Sequence, residues 1–386
     1  MRFLLSLLLI CFANSFFAQQ YELYKKLPFS DFESKNLGYD VNIEVTVPLA
    51  FDEASSATYP IIFVFDKQNN RSYNYILATI DYLTANDQMP LCIVVGVEAG
   101  EDMKRYNETQ LSISASGACG EKNEAFIFDE LLPMVRKKYR GNQHLTLIGH
   151  SRYGYYTSLL LTRRAEEIGA VISLSPFLWQ ENVDICEALK EMTANVKPNR
   201  VVYYRFSMGE DFPNDYFTID SMLVKGELNS KYFDIRGELF PAAGHTSTPG
   251  LTIAPALYDI FEFWAEHQQF YFNNSNTDFE VLETIQQEIT EHYGQELNFS
   301  LGILNGKGWF FYNDGKYELA IRAWEEMLKA YPKCSDAFLN MAFAQKELNQ
   351  DTAIMLALFK KSLATDAFYT LEEKEEILEE VAKENW

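Results

Sequence analysis

The chain has 386 residues, more than one ordinary domain holds, and its length points to two domains. With 47% apolar and 15% aromatic residues it can bury a large core, which excludes a disordered chain. The formal charge of −22, from 33 basic and 55 acidic residues, repels phosphate backbones and excludes nucleic acid as a partner class.

Residues 1–18 read as a removable export signal. Arg2 supplies the positive start, Phe3 to Phe12 the apolar stretch, and Ala18 before Gln19 the cleavage point. The run is too short for a membrane span. Ile10 stands where a lipid-anchored cysteine wants a small residue, so Cys11 predicts export to the periplasm or exterior rather than lipid anchoring. Val41, Ile43, Val45 and Val47 alternate with mostly polar residues, the pattern of a strand buried on one face. The apolar runs at 59–66 and 90–97 predict strands buried on both faces, and the spacing over 72–84 predicts a helix between them. An amphipathic helix follows over 124–139. Strands are then expected at 145–148, 170–175, 201–206 and 232–240, and a helix over 255–268. Buried strands alternating with helices predict an α/β fold with a doubly wound, mostly parallel sheet, with its chemistry at the strand C-terminal ends.

From about Thr277 the strand signals stop and helical periodicity runs to Trp386. Tyr317, Ala320, Trp324 and Pro332, with Gly308 and Phe311 upstream, resemble one tetratricopeptide repeat (TPR). A shift of about 34 residues gives a degenerate second copy, with Ala342, Ile354 and Leu358 but with Asp351 and Asp366. Two units are short for a free-standing solenoid, so this segment is expected to pack on the first domain or on the helix over 278–293. The domains expected are thus a signal at 1–18, an α/β domain at 19–270, a connecting helix at 271–300 and an all-α TPR-like domain at 301–386.

Four cysteines remain beyond the signal, Cys92, Cys119, Cys186 and Cys334; no spacing requires a disulfide, and none suggests a metal site. The chemistry centres on Leu145 to Tyr155, where an apolar strand runs into Gly149-His-Ser151 and a helical pattern follows. A strand that turns sharply into a helix through Gly-x-Ser lifts a hydroxyl above the sheet edge, over the free N–H groups of the helix N-terminus. Tyr153 takes the place of the motif's second glycine, and Gly154 comes one residue late. A serine nucleophile needs a base, an orienting acid and donors for an oxyanion. Of the five histidines, His245 lies in the small-residue loop 242–250 after the last strand, where the order serine, acid, histidine places the base. His144 is expected to be structural, His150 to point from the serine into packing, and His267 and His292 to lie in helices. The acid is expected after the strand at 201–206: Glu210 is preferred, with Asp211 next and Asp215 third. The N–H groups of Arg152 and Gln68 are the expected oxyanion donors. Arg152 also suits an anionic substrate or a carboxylate of the fold.

Across residues 22–268 these features resemble the putative-esterase family, the α/β-hydrolases related to esterase D and to enterobactin-type siderophore esterases. The residues that carry the resemblance are Tyr59-Pro60 to Asp66, Ile93 to Val97 followed by Arg105 to Thr109, Phe128 to Pro133, Gly149-His-Ser151, Ser175-Pro176 and Gly244-His245. The TPR-like extension is similar to one that some members carry. The resemblance implies a serine esterase of the α/β-hydrolase fold acting on a small-molecule carboxylic ester without a cofactor. Carried over, Ser151 is the nucleophile, His245 the base, and Glu210 or Asp211 the acid. Tyr153, and Lys67 in a place that is often glycine, depart from the family and bear on substrate fit. The rival expectation is an inactive hydrolase-like protein that binds a partner through its helical domain. A Tyr153 ring plugging the pocket is the feature that favours it.

Overall fold

The apolar runs of the first two-thirds of the chain form the strands of one sheet. The computed structural model describes residues 21–28, 30–51, 57–274, 280–384 and 386; the expected export signal lies outside them. The strands are β1 (Tyr24–Lys26), β2 (Ser30–Ser34), β3 (Tyr39–Pro48), β4 (Tyr59–Phe65), β5 (Ile93–Val97), β6 (Gly141–His150), β7 (Ala170–Leu174), the short pair β8 (Trp179–Gln180) and β9 (Val183–Asp184), β10 (Val202–Met208) and β11 (Phe233–Leu239). The main sheet runs β1-β3-β5-β4-β6-β7-β10-β11, with β2 added to β3. From β5 to β11 all neighbours are parallel, while β3 is antiparallel to β1, β2 and β5.

Side chains alternate across the sheet with the period of two that a strand imposes. Ile61, Phe63 and Phe65 of β4 enter one apolar cluster, and Ile62 and Val64 enter another. Helices therefore cover both faces, as continuous apolar strands require. They are α1 (Asn70–Ala85), α2 (Asp102–Glu108), α3 (Gly120–Ala125), α4 (Leu132–Tyr139), α5 (Arg152–Arg164), α6 (Ile185–Asn195), α7 (Pro213–Val224) and α8 (Thr248–Asn273).

Two helices differ from expectation. The helix expected from residue 124 begins at Gly120 and carries a π-helical turn at Phe126–Leu131 just before α4, which has Pro133 in its first turn. The helix expected from Pro255 begins at Thr248, with Pro255 inside it. The carbonyl one turn earlier belongs to Leu251, which is exposed, so water can replace the hydrogen bond that proline withholds.

Beyond α8 lie α9 (Glu280–Tyr293), α10 (Leu301–Asn313), α11 (Tyr317–Ala330), α12 (Ser335–Glu347), α13 (Ala353–Leu363) and α14 (Leu371–Lys383). Ala320 and Trp324 are fully buried, and a Cβ at Gly308 would collide with the Trp324 indole, so α10 and α11 approach closely through that glycine. The region shares an apolar cluster with the sheet domain: Trp264 and Tyr271 of α8, Tyr293 of α9, and Phe299, Phe311 and Trp324 pack in one body. The ammonium of Lys307, 2% exposed, donates to the carbonyls of Tyr271 at 2.9 Å and Phe272 at 3.2 Å, at the open C-terminal end of α8. Cys92, Cys119, Cys186 and Cys334 are all unpaired.

Candidate active site

The strand order reverses at β4, which lies between β5 and β6; crevices at such reversals hold the ligand sites of open α/β sheets. Val64 of β4 pairs with Ile148 of β6, so the turns after Phe65 and His150 emerge side by side. Ser151 joins β6 to α5 with φ 60° and ψ −117°. This is a strained conformation for a residue with a side chain, costing about 1–3 kcal/mol, and it clusters at functional sites. The serine N–H is tied to the Leu174 carbonyl of β7 at 2.8 Å.

The glycines around it are there for close approach. A Cβ at Gly149 would collide with the Tyr153 carbonyl, and one at Gly154 would lie 3.0 Å from the Leu174 carbonyl and 3.2 Å from Ser173 Oγ. Gly154 thus lets α5 sit tightly on β7, while Tyr153 faces the end of β4. The Tyr153 ring stacks on Phe65 at 4.9 Å and is 2% exposed, and its hydroxyl donates to Glu108 at 3.3 Å. Burial and the nearby Glu108 and Asp66 carboxylates raise its pKa well above the phenol range. The ring is part of the core of the first sheet face.

His245 follows β11 in the loop before α8, and its Nδ1 hydrogen-bonds Asp211 Oδ2. The other Asp211 oxygen accepts the Gly209 N–H at 3.2 Å. Glu210, the acid that the sequence favours, does not reach His245. Its N–H donates to the Ala243 carbonyl at 3.0 Å and its side chain is exposed. That bond needs the glycine beside it, because a Cβ at Gly209 would strike the Ala243 carbonyl. Asp215 accepts the Leu178 N–H at 3.0 Å instead.

His150 also differs from expectation. Its ring lies against His245 at a centroid distance of 4.7 Å, with Nε2 2.8 Å from the His245 carbonyl oxygen. Burial lowers its pKa, so its neutral form is favoured. The remaining histidines lie elsewhere: His144 is fully buried between Phe261 and Tyr293, while His267 of α8 and His292 of α9 both stack on Phe263.

The turn after β4 emerges beside the turn that carries the serine. Asp66, at φ 61°, pairs with Arg105 of α2, whose Nε donates at 2.8 Å. Those bonds raise the Arg105 pKa against the opposing effect of burial. Lys67 is turned toward Glu98, with Nζ 3.1 Å from Oε2. The N–H groups of Lys67, Asn69 and Asn70 are committed to the carbonyls of Val97, Asp66 and Gln68. Gln68 accepts the Ala99 N–H through its side chain at 3.1 Å. Arg152 is the first residue of α5, where helix geometry gives its N–H no intrahelical partner.

Two buried hydroxyls support the loop that carries His245, one of them from the Ser175-Pro176 pair and the other, Thr248, without a signal in the sequence. Ser175 Oγ and Thr248 Oγ1 share a hydrogen bond of 2.9 Å at the start of α8. Among the described residues no group of His, Cys, Asp and Glu is placed to hold a metal ion, and no helix is long and apolar enough to cross a membrane.

An IroE-like serine hydrolase from Shewanella oneidensis is similar in structure, with a TM-score of 0.63 at 16% identity over 80% of this chain and 99% of that one. An uncharacterised protein from Capnocytophaga ochracea matches with a TM-score of 0.56 at 16% identity over 88% of this chain and 94% of that one. A ferulic acid esterase matches with a TM-score of 0.50 at 18% identity, over 63% and 99%. No curated protein matches the chain. At these identities the likenesses speak for the fold, and the family model named Putative esterase matches residues 34–213, from β2 through the Gly-x-Ser turn to the Gly-Glu-Asp turn. Over residues 34–213 this chain is thus similar to the Putative esterase family, and the match supports an esterase-class hydrolase.

Proposed function

We propose that the protein is an exported serine carboxylic-ester hydrolase in which Ser151, His245 and Asp211 form the triad. The observation that carries the reading is the Asp211 carboxylate on His245 Nδ1, in loops pinned together at the sheet end from which the strained Ser151 also emerges. With Nδ1–H held by the carboxylate, Nε2 is left as the acceptor. Ser151 Oγ attacks the ester carbonyl carbon and its proton passes to Nε2. The tetrahedral oxyanion meets the N–H groups of Arg152 and Gln68. Collapse breaks the ester bond, and the leaving alkoxide takes the proton back as the alcohol. Water then repeats the sequence on the acyl-enzyme, so no cofactor enters the reaction.

The export reading rests on Arg2, the apolar stretch and Ala18. The helical region is read as one TPR-like hairpin, from Gly308, Ala320 and Trp324 at their packing positions, followed by a degenerate second hairpin and a closing helix. Ile354 and Leu358, which the repeat spacing aligns with buried Ala320 and Trp324, are instead exposed on α13, and we read them as an apolar surface for a protein partner.

The test is covalent labelling of the purified protein with a fluorophosphonate, followed by a screen of acetyl, feruloyl and siderophore esters. Ser151→Ala is expected to abolish labelling, and His245→Ala to slow ester turnover by about 10³-fold or more. A folded wild type that takes no label overturns the triad.

A further inference from the structure

The arginine after the nucleophile is placed in a way that packing alone does not explain. Arg152 opens α5, where the helix dipole disfavours a cation. Its guanidinium lies 4.0 Å from the centroid of the Tyr106 ring of α2 and 5.3 Å from that of Phe177, in the segment after β7. Phe177 is itself held by stacking on Tyr155 at 4.6 Å. Nη1 is buried and has no hydrogen-bond partner among the described residues.

The carboxylates nearby are committed to other groups. Asp66 holds Arg105, Glu98 holds Lys67, and Glu108 accepts from Tyr39, Tyr153 and the Gly100 N–H. Farther along α5, Arg163 and Arg164 share Glu124. On a chain with 55 acidic residues, the cation next to the nucleophile has no carboxylate partner among the described residues. A desolvated donor without a partner costs free energy unless a ligand satisfies it. The guanidinium lies against the Tyr106 and Phe177 rings and hydrogen-bonds Tyr106, and its planar fork suits a carboxylate approaching edge-on. The aromatic wall continues from Phe177 to Phe212 at 6.3 Å, and from Phe212 to the His245 ring at 6.1 Å, which joins this fork to the base.

We propose that Arg152 binds a carboxylate carried by the ester substrate, so that the enzyme selects anionic esters with an aromatic or extended apolar body against the wall of Phe177 and Phe212. The inference rests on Ser151 being the nucleophile, and it assigns the substrate class of that same site. Arg152 as a residue is only partly buried, so a ligand can approach the side chain beside the buried Nη1.

The probe is the rate of fluorophosphonate labelling in the presence of benzoate or of its neutral isostere, benzamide. In the wild type benzoate is expected to protect Ser151 at about tenfold lower concentration than benzamide, the value of one charge-assisted hydrogen bond. In Arg152→Gln the two are expected to protect equally, and Arg152→Lys, which keeps the charge without the fork, is expected to fall between. Equal protection in the wild type overturns the proposal, as does a benzoate preference that survives in Arg152→Gln. Should Arg152→Gln fail to fold, the drop in benzoate preference between wild type and Arg152→Lys decides in its place, and no drop overturns the proposal. A wild type that takes no label at all overturns the triad instead, so the two failures are distinct. Two ester pairs then place the carboxylate. Preference for 4-nitrophenyl hemisuccinate over 4-nitrophenyl butyrate puts it on the acyl side, and preference for 4-acetoxybenzoate over phenyl acetate puts it on the leaving group. Preference in neither pair overturns the proposal.

Discussion

Glu210 and Asp211 are neighbours in the chain, yet only one of them reaches the histidine. The Glu210 N–H is bound to the Ala243 carbonyl, which turns its side chain to solvent and brings Asp211 under His245. Asp211→Asn is therefore expected to lower ester turnover by about 10²–10⁴-fold, since the imidazole loses the charge that holds its tautomer. Glu210→Gln is expected to stay within about threefold of wild type, as exposed side chains away from the chemistry usually do. A steady-state comparison of the two variants decides the assignment, and a larger loss in Glu210→Gln reverses it. The turn itself was legible as Gly-Glu-Asp after a strand, and His245 from its place after the last strand. Which carboxylate faces the ring was not. It depends on a carbonyl more than 30 residues away and on Gly209 having no Cβ to block it. The same long reach hid His150, whose contact with the His245 carbonyl joins residues 95 positions apart.

At the scale of the element, the β6–α5 turn shows how a motif with a displaced glycine still closes. The Gly-x-Ser pattern and the apolar strand before it are local signals, and both turn and helix form where they point. The pattern cannot say which neighbour each helix residue meets. Gly154 meets β7, and the Tyr153 ring fits against Phe65 at the end of β4, so the aromatic substitution becomes core rather than an obstruction. The two glycines then carry different penalties. Gly149→Ala sets a methyl against backbone, and is expected to cost about 3 kcal/mol or more and to remove fluorophosphonate labelling with it. In Gly154→Ala the new contacts are 3.0–3.2 Å, and alanine's better helix propensity offsets part of the crowding. Its net change is expected to stay within about 1 kcal/mol. Urea unfolding midpoints check the order, and equal losses in both variants count against this division of roles. The π-helical turn at Phe126–Leu131 and the internal Pro255 left no such local signature, because apolar spacing alone tolerates both.

Across the whole molecule, the doubly wound sheet was legible because a strand buried on both faces reads as an unbroken apolar run. That the helical region packs on the sheet domain or on the helix over 278–293 was expected from its few repeats, but the residues that form the joint were not legible, because an amphipathic helix does not reveal which neighbour covers its apolar side. That joint is one continuous core, and His144 of β6 lies in it, against Phe261 of α8 and Tyr293 of α9. Both ring nitrogens are buried without a hydrogen-bond partner among the described residues. Burial, with the charge of Arg200 and the neighbouring His292, pushes the His144 pKa down to about 3. His292, partly buried between the two regions, is pushed down to about 4. Unfolded, each returns to about 6.5. Between the folded and unfolded values the unfolded chain binds more protons, so stability is complete above about pH 6.5 and falls as the pH drops toward 4 and 3. At pH 5 the loss from His144 alone is about 2 kcal/mol, with a smaller share from the less buried His292. Carboxylates also contribute to acid unfolding, so the test is a difference between two proteins. His144→Leu keeps the apolar contacts and removes the proton site. It is expected to show a flatter dependence of the urea midpoint on pH between 6.5 and 5, whatever its stability at pH 7.5. If its profile runs parallel to that of the wild type, the buried imidazole is not the group that the joint between the two regions must keep neutral.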